Sequence, residues 1–511
     1  MAMIPELVSR PCMDGDGGLL LGLLLAVIET SISATALVTI GRYFEDFPNS
    51  TWVILSYLLG YSGFAIVVPR LSDNIGRRPA AIFSWTLFMA FSLGAGLSKT
   101  LRQLIVCRAL QGVGGTGMFS MTMIMLPQIT PVKRWPIMST CVGLVFAIAS
   151  VSGPVLGGVI TEYSTWRWIY LYNAPIASVG VLPLLFLWPT SATSNRRPDW
   201  KHFDYFGALL LITASSLIIF VLNQVGADFY RWQDPLIIVL TTVSCVSWCS
   251  FAFWVAFWSF KVPPRINPIF PGDLAARTPQ GPTLLTAVLS GFPYFISVIN
   301  LPQRFQLVNG QSPVSAGLRL MPFLSFFAAG TAVAGKLNGK KNRTPETLIA
   351  GSVITVIGCG LLSTLSNTAK IEAKQYGYQV LLGMGIGLCF AGSMMLINIE
   401  TRSNQLAAAQ GAISQARVLG GSAGLAMGTI VLNKNITRLL GGLVSPSQLQ
   451  NIRHSLASIE SLDTAERLLA VEAFSEAFST EMRICCYVSI ATVLTSLATW
   501  KRHKTPLPVN D

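Results

Sequence analysis

Fourteen stretches of roughly 20 mostly apolar residues follow one another along this chain. They are centred near residues 30, 60, 88, 114, 148, 178, 214, 246, 291, 325, 356, 388, 421 and 491. One helix needs a run of about that length to cross the roughly 30 Å apolar layer of a bilayer. Lipid offers the backbone no hydrogen-bond partners, so each run must satisfy its own amides and carbonyls as a helix. The alternating ten-residue segments of a membrane barrel are not found. Composition agrees: 52% of the residues are hydrophobic and 12% charged, against about a quarter charged in a water-soluble chain. The expected fold class is an all-α polytopic membrane protein, embedded in lipid. The ninth run, from about 281 to 301, is interrupted by Pro293.

A formal charge of +13 raises the question of nucleic acid, and the placement of the charge answers it. With the N-terminus inside, 20 of the 36 Lys and Arg fall on inner segments and 12 on outer ones. The other four, Arg108, Arg319, Arg417 and Arg483, lie in or near the apolar runs. Such a bias puts both termini in the cytoplasm, so the basic charge sets orientation and no nucleic-acid partner is expected. Residues 1–18 carry Asp14, Asp16 and one Arg, lack the basic start of a signal peptide, and read as a cytoplasmic tail. Residues 501–511 read as a second. The nine cysteines show no disulfide or metal spacing, and His202, His454 and His503 are dispersed in expected loops. No enzyme activity, metal or cofactor is expected. Sequons at Asn49 and Asn435 fall on expected outer loops, where glycosylation is an option.

The most concentrated charge is RLSDNIGRRP, residues 70–79, and it has a faded copy. Aligning PRLSDNIGRRPA (69–80) with GKLNGKKNRTPE (335–346) pairs Leu71 with Leu337, Arg77 with Arg343 and Pro79 with Pro345. The first copy joins runs 2 and 3, the second joins runs 10 and 11. A plain duplication of six would pair run 2 with run 8, so two helices, runs 7 and 8, stand between the halves. The expected organisation is a six-helix half over 19–188, two extra central helices over 204–258, and a second half over 281–500. The second half includes a long outer loop, 434–481. Parallel halves of this kind are a transporter architecture, with the substrate site near the midplane between them.

Each motif has a physical reading. In the loop, Asp73 can accept hydrogen bonds from the amides opening the third helix or pair with Arg77 or Arg78, and Gly76 permits a tight turn. Such a cluster can latch the two halves in one state, or serve only as a positive-inside anchor. In GPVLGG (153–158), Gly153 and Gly157 let helices approach closely, Pro154 bends the helix, and Gly158 follows. Glu29 sits about ten residues into the first run, hence about 15 Å deep. Arg108 lies about seven residues into the fourth, which enters from the other side. In a core about 30 Å thick their heights differ by about 5 Å, and Gln111 follows Arg108 by one turn. Ionisable groups at such depth are usually functional; the alternative is a static buried ion pair. Arg417 is near enough to the cytoplasm to snorkel, Asp204 reads as a helix cap, and the aromatic pair in TWRWIY (165–170) suits an interfacial belt. GVGGTG (112–117) follows no strand, and GTAVAGKL (330–337) has Leu337 where a phosphate loop needs Ser or Thr. Leu449, Ile452, Leu456, Ile459 and Leu462 recur at helical spacing, as in an amphipathic surface helix.

RLSDNIGRRP resembles the loop signature of the major facilitator superfamily between its second and third helices. RALQGVGGTG (108–117) resembles the fourth-helix motif of that superfamily, and GPVLGG its fifth-helix antiporter motif. WVILSYLLGY (52–61) and AGLRLMPF (316–323) fit as well. Over residues 19–500 the chain is similar to the fourteen-helix drug:proton antiporters. It departs from them with Pro69 where Gly is usual, Asn74 where a basic residue is usual, and Glu29 where Asp is common. The resemblance implies the major facilitator fold and proton-coupled export of small amphipathic organic molecules by a functional monomer, most simply at the plasma membrane. Glu29, Arg108 and Gln111 would serve the proton or substrate. A same-fold carrier of a defined solute (a basic amino acid or siderophore, at a vacuolar or plasma membrane) is the alternative within transport. A transport-inactive sensor or scaffold is the alternative outside it.

Overall fold

Apolar runs free of internal caps should fold as long helices, and they do. The computed structural model describes residues 13–46, 50, 52–131, 134–186, 200–259, 268–339, 341–366, 371–402, 405–445, 448–449, 463–501 and 505–506. Their helices are α1 Met13–Tyr43, α2 Trp52–Gly63, α3 Val67–Ile75, α4 Arg77–Gly96, α5 Leu101–Ile129, α6 Trp135–Tyr163, α7 Trp168–Leu171, α8 Asn173–Phe186 and α9 Tyr205–Gly226. They continue as α10 Pro235–Ser259, α11 Gly272–Ala276, α12 Gln280–Leu307, α13 Pro313–Arg319, α14 Met321–Asn338, α15 Thr344–Leu362, α16 Lys374–Glu400, α17 Leu406–Leu440 and α18 Thr464–Leu497. The described residues contain no strand. Among the described residues nine helical spans are long and apolar enough to cross a membrane, and α2 with α3, bent by 48°, makes a tenth. Each of the fourteen expected centres falls inside a helix. The Pro293 expectation needs correcting, because α12 runs unbroken through both Pro293 and Pro302.

Helices α1–α8 pack chiefly on one another, as do α12–α18. Two seams join the groups. Along one, α6 meets α14: a Cβ at Gly143 would lie 2.9 Å from Ala328 Cα, and Thr331 Oγ1 donates to the Ser139 carbonyl at 3.0 Å. Along the other, α3 meets α17, where a Cβ at Gly411 would lie 2.7 Å from the Ala65 carbonyl oxygen and 3.1 Å from Pro69 Cγ. Pro69 stands where the loop signature usually has Gly, and here the glycine that permits close approach is on the opposing helix. Helix α9 lies over this second seam and touches both sides. Ser216 Oγ reaches the Leu59 carbonyl of α2 at 3.4 Å, and Asn433 of α17 reaches the Gly226 carbonyl at 3.2 Å. Asp204 caps α9 through the Gly207 amide at 2.8 Å. It also accepts from Trp254 Nε1 and the Ile269 amide, both at 3.0 Å, tying α9, α10 and the next segment together.

The described residues at both ends of the expected outer loop 434–481 are largely helical, to Leu440 on one side and from Thr464 on the other. Asp463 and Glu466 form a reciprocal capping box that starts α18 early. The 35 residues of α17 rise about 52 Å, well beyond the apolar layer. The two extensions are held by their own cluster, in which Ile436 and Leu440 pack with Ala470, Ala473 and Phe474, and Arg438 pairs with Glu476. Asn435 therefore lies in the last turns of α17, not in a loop. Asn49, Ile452, Leu456, Ile459 and Leu462 lie outside the described residues. The aromatic pair also divides. Trp166 is buried against Tyr43, Phe44 and Tyr170, whereas Trp168 is half exposed, so only the second suits an interfacial belt.

Candidate functional site

Two buried polar centres stand out, one inside the first group of helices and one at the meeting of the groups. In the first, the opposite entry directions of α1 and α5 bring Glu29 and Arg108 to one height. Both side chains are fully shielded, and Arg108 Nη1 donates to Glu29 Oε1 at 2.5 Å. Nη1 also reaches Gln111 Oε1 at 2.7 Å, and Nε reaches the Val53 carbonyl at 3.1 Å. The second oxygen of Glu29 accepts from Asn173 Nδ2 at 2.7 Å, and Gln111 Nε2 donates to Ser92 Oγ at 2.6 Å. The guanidinium rests 4.4 Å from the Tyr57 ring centroid and 5.3 Å from that of Tyr170. Among the described residues Nη2 of Arg108 has no hydrogen-bond partner. Depth arithmetic brought Glu29, Arg108 and Gln111 together. It missed Asn173, Ser92 and Tyr57, which come from three other helices with no shared sequence register.

The second centre corrects a sequence expectation. Arg417 does not snorkel; it is buried on α17, with 6% of its surface exposed. Its guanidinium lies 3.9 Å from the Phe390 ring centroid, and Nη2 donates to Ser393 Oγ at 3.1 Å. Phe390 belongs to an aromatic chain that crosses between the groups. Tyr61, Phe119 and Phe146 come from the first, Phe390, Phe327 and Tyr294 from the second, with successive centroids 5.2–6.1 Å apart. Beside this chain, toward the end carrying residues 70–79, lies a cavity of about 50 Å³ lined by Met123, Leu126, Met138, Met394 and Gln410, among others. A drug-sized ligand needs roughly 300–1,000 Å³, so the groups are drawn together around it here. An open groove of about 530 Å³ at the opposite end, between residues 225–233 and α17, lies away from both centres.

The ion pairs of the charged loop seen among the described residues lie within the first group. Asp73 accepts from Arg70 at 3.0 Å and Arg77 at 2.5 Å. Arg78 turns instead to the Leu184 and Leu185 carbonyls at the end of α8, at 3.0 and 2.6 Å. No side chain caps the amides opening α4, so that expected role of Asp73 is not seen. Gly76 holds φ +96°, a conformation that favours glycine, and turns α3 into α4. In GPVLGG, Gly153 and Gly157 are buried on α6, which packs along α1, while a Cβ at Gly158 would meet open space. The side chain of Pro154 lies outside the description. Sequence reading also missed Glu481. It is buried on α18 and accepts from Asn300 Nδ2 at 2.6 Å. Four apolar or alcohol neighbours (Ser479, Thr480, Ala477, Phe478) give no warning of that burial. Among the described residues no group of His, Cys, Asp and Glu has the arrangement of a metal site.

Residues 19–425 match the family described as the Major Facilitator Superfamily. The chain belongs to the major facilitator superfamily. It is 34% identical over 501 residues to the MFS-type transporter FPY5 of Fusarium mangiferae, an alignment that covers 96% of this chain and 84% of the relative. It is 26% identical over 505 residues to the efflux pump roqT of Penicillium rubens, covering 96% and 90%. The solved structure of the human organic anion transporter MFSD10 superposes with a TM-score of 0.57 at 12% identity, over 94% of this chain and 100% of that one. That likeness shows the fold. This major facilitator protein is thus a multi-pass membrane transporter of the all-helical fold, and not an enzyme.

Proposed function

We propose that the protein is a proton-coupled exporter of small amphipathic organic molecules, of the fourteen-helix antiporter kind. The observation that carries this reading is the Glu29–Arg108 pair, sealed from water and bridging α1 to α5. A carboxylate held by one cation and one amide is the group whose protonation changes the most at the least displacement. Adding a proton cancels the ion pair, leaves Arg108 with Gln111 and the Val53 carbonyl, and loosens α1 from α5. Helix α1 packs along α6, and α6 forms the seam with α14 at Gly143 and Thr331. The proton state is thereby linked through one helix to the contact that must part when the groups rock. At the other seam, Asp73, Arg70 and Arg77 brace α3 against α4 while Arg78 ties α4 to α8, so a loop at the mouth stays stiff as α3 leaves Gly411.

The name of roqT, an efflux pump, supports the direction of transport, as does the GPVLGG resemblance. Both centres lie within one chain, which supports a monomer as the working unit, and export points to the plasma membrane. The test is efflux from proteoliposomes under an imposed pH gradient against a compound panel. Uphill movement that collapses when the gradient is dissipated is expected. Transport indifferent to the gradient overturns proton coupling, and movement only into the donor compartment overturns export.

A further inference from the structure

Arg417 differs from the other buried arginines in what it holds. Arg108 has Glu29 as its counter-ion. Arg304 gives one nitrogen to Ser475 Oγ at 3.0 Å and another to the Ser366 carbonyl at 2.8 Å. Among the described residues Arg417 has a single hydroxyl, that of Ser393, and the face of Phe390. Its Nη1, shielded from solvent, has no hydrogen-bond partner among the described residues. Among the described residues no carboxylate lies within ion-pairing distance. The other ionisable groups around it are Tyr61, Tyr294 and Cys389, none of them ordinarily an anion near pH 7.

A guanidinium keeps its charge in proteins, and an unpaired buried charge is costly. Cation–π contact offsets only part of that. The unspent donors have the planar fork that recognises a carboxylate through two parallel bonds. Position adds the second half of the argument. Gln410, Ser414 and Arg417 are spaced to share one face of α17, and Gln410 lines the cavity between the groups. Phe390 lines the same cavity and covers the guanidinium. When the groups separate and the cavity grows, the ring that shields Arg417 faces the new space. The remaining wall is rich in methionine, a flexible side chain that adapts to varied apolar shapes.

We propose that Arg417 anchors the anionic head of the cargo, so that the protein carries amphipathic organic acids: a carboxylate or similarly planar oxyanion on an apolar ring or chain. This rests on the export reading and narrows it, and it disfavours a basic amino acid as cargo.

The test is binding by the full-length protein in detergent micelles, using 2-naphthoate and 2-naphthamide, which share a ring system and differ in charge. Affinity is read from ligand-induced thermal stabilisation, which follows ligand concentration relative to Kd. The parent should prefer the acid by tenfold or more. Arg417→Gln should erase that preference while leaving amide binding as it was, and Arg417→Lys should keep charge but lose the fork, reducing the preference several-fold. Equal affinity of the parent for both probes, binding of neither, or a preference that survives Arg417→Gln overturns the proposal. If Arg417→Gln does not fold, an undiminished preference in Arg417→Lys overturns it as well. Micelles hold no gradient, so these outcomes are separate from those of the efflux experiment: a parent that fails to pump but prefers the acid removes the export reading alone.

Discussion

Glu29 and Arg108 each make sense only with the other. Breaking a buried pair by removing one partner leaves an uncompensated charge and costs about 3–5 kcal/mol. Arg108→Gln should therefore lower the thermal stability of the purified protein by about that much. The double substitution Glu29→Gln/Arg108→Gln should cost clearly less than the sum of the singles, and strict additivity would show that the two do not act as a pair. Glu29→Gln mimics the protonated acid. It should preserve exchange of substrate across the membrane and abolish efflux driven by a pH gradient; full pumping by this variant removes Glu29 as the coupling site. Asp73 is a contrasting case. It is partly exposed, its ion pairs with Arg70 and Arg77 are each worth no more than about 1 kcal/mol, and Asp73→Asn should leave abundance near normal while slowing turnover. Lost protein with normal activity per molecule would instead make the loop a topology anchor.

Among the elements, α6 and α17 carry the seams, and each does so through a glycine. At Gly143 an added Cβ would come within 2.9 Å of Ala328 Cα, and at Gly411 within 2.7 Å of the Ala65 carbonyl oxygen, both backbone atoms that cannot rotate away. Gly143→Val and Gly411→Val should hold the groups apart at their own seams without unfolding either group. The expected result is protein of normal abundance with transport reduced tenfold or more. A cysteine placed at Ser139 or Pro69 should react faster with a water-soluble maleimide in the matching valine variant. Unchanged labelling with lost activity would mean that the seams do not part during transport. Helices α17 and α18 show a different lesson. The start of α18 was legible as Asp463 followed three residues later by Glu466, a capping signature that the polar surroundings disguised as loop.

The arrangement of the whole molecule is checked by accessibility from the two sides of the membrane. In a background without the nine native cysteines, Arg134→Cys and Lys336→Cys should label from the same side. Ser164→Cys and Asp228→Cys should label from the other. All four positions are exposed. Labelling of residues 134 and 336 from opposite faces would break the matched orientation of the two halves.

Apolar runs, charge bias and three ordered motifs were enough to give the helices, the membrane and the superfamily. The superfamily came from the resemblance of the motifs. The helices and the membrane follow from short-range physics, because a backbone in lipid must bond to itself, and a helix of known rise places Glu29 and Arg108 at one depth before any contact is seen. Tertiary structure decided which buried groups have partners. Asn173 and Ser92 join the Glu29 centre from helices far away in the chain. Pro69 finds its glycine at Gly411, and Glu481 finds Asn300 across a bundle. Arg417, by depth alone a candidate to snorkel, is turned inward by the packing of α17 against α12 and α16 and is left with Phe390 and one hydroxyl. The facing of a side chain depends on how a helix is rotated against its neighbours. That rotation is set by contacts across hundreds of residues, which no local pattern in the sequence encodes.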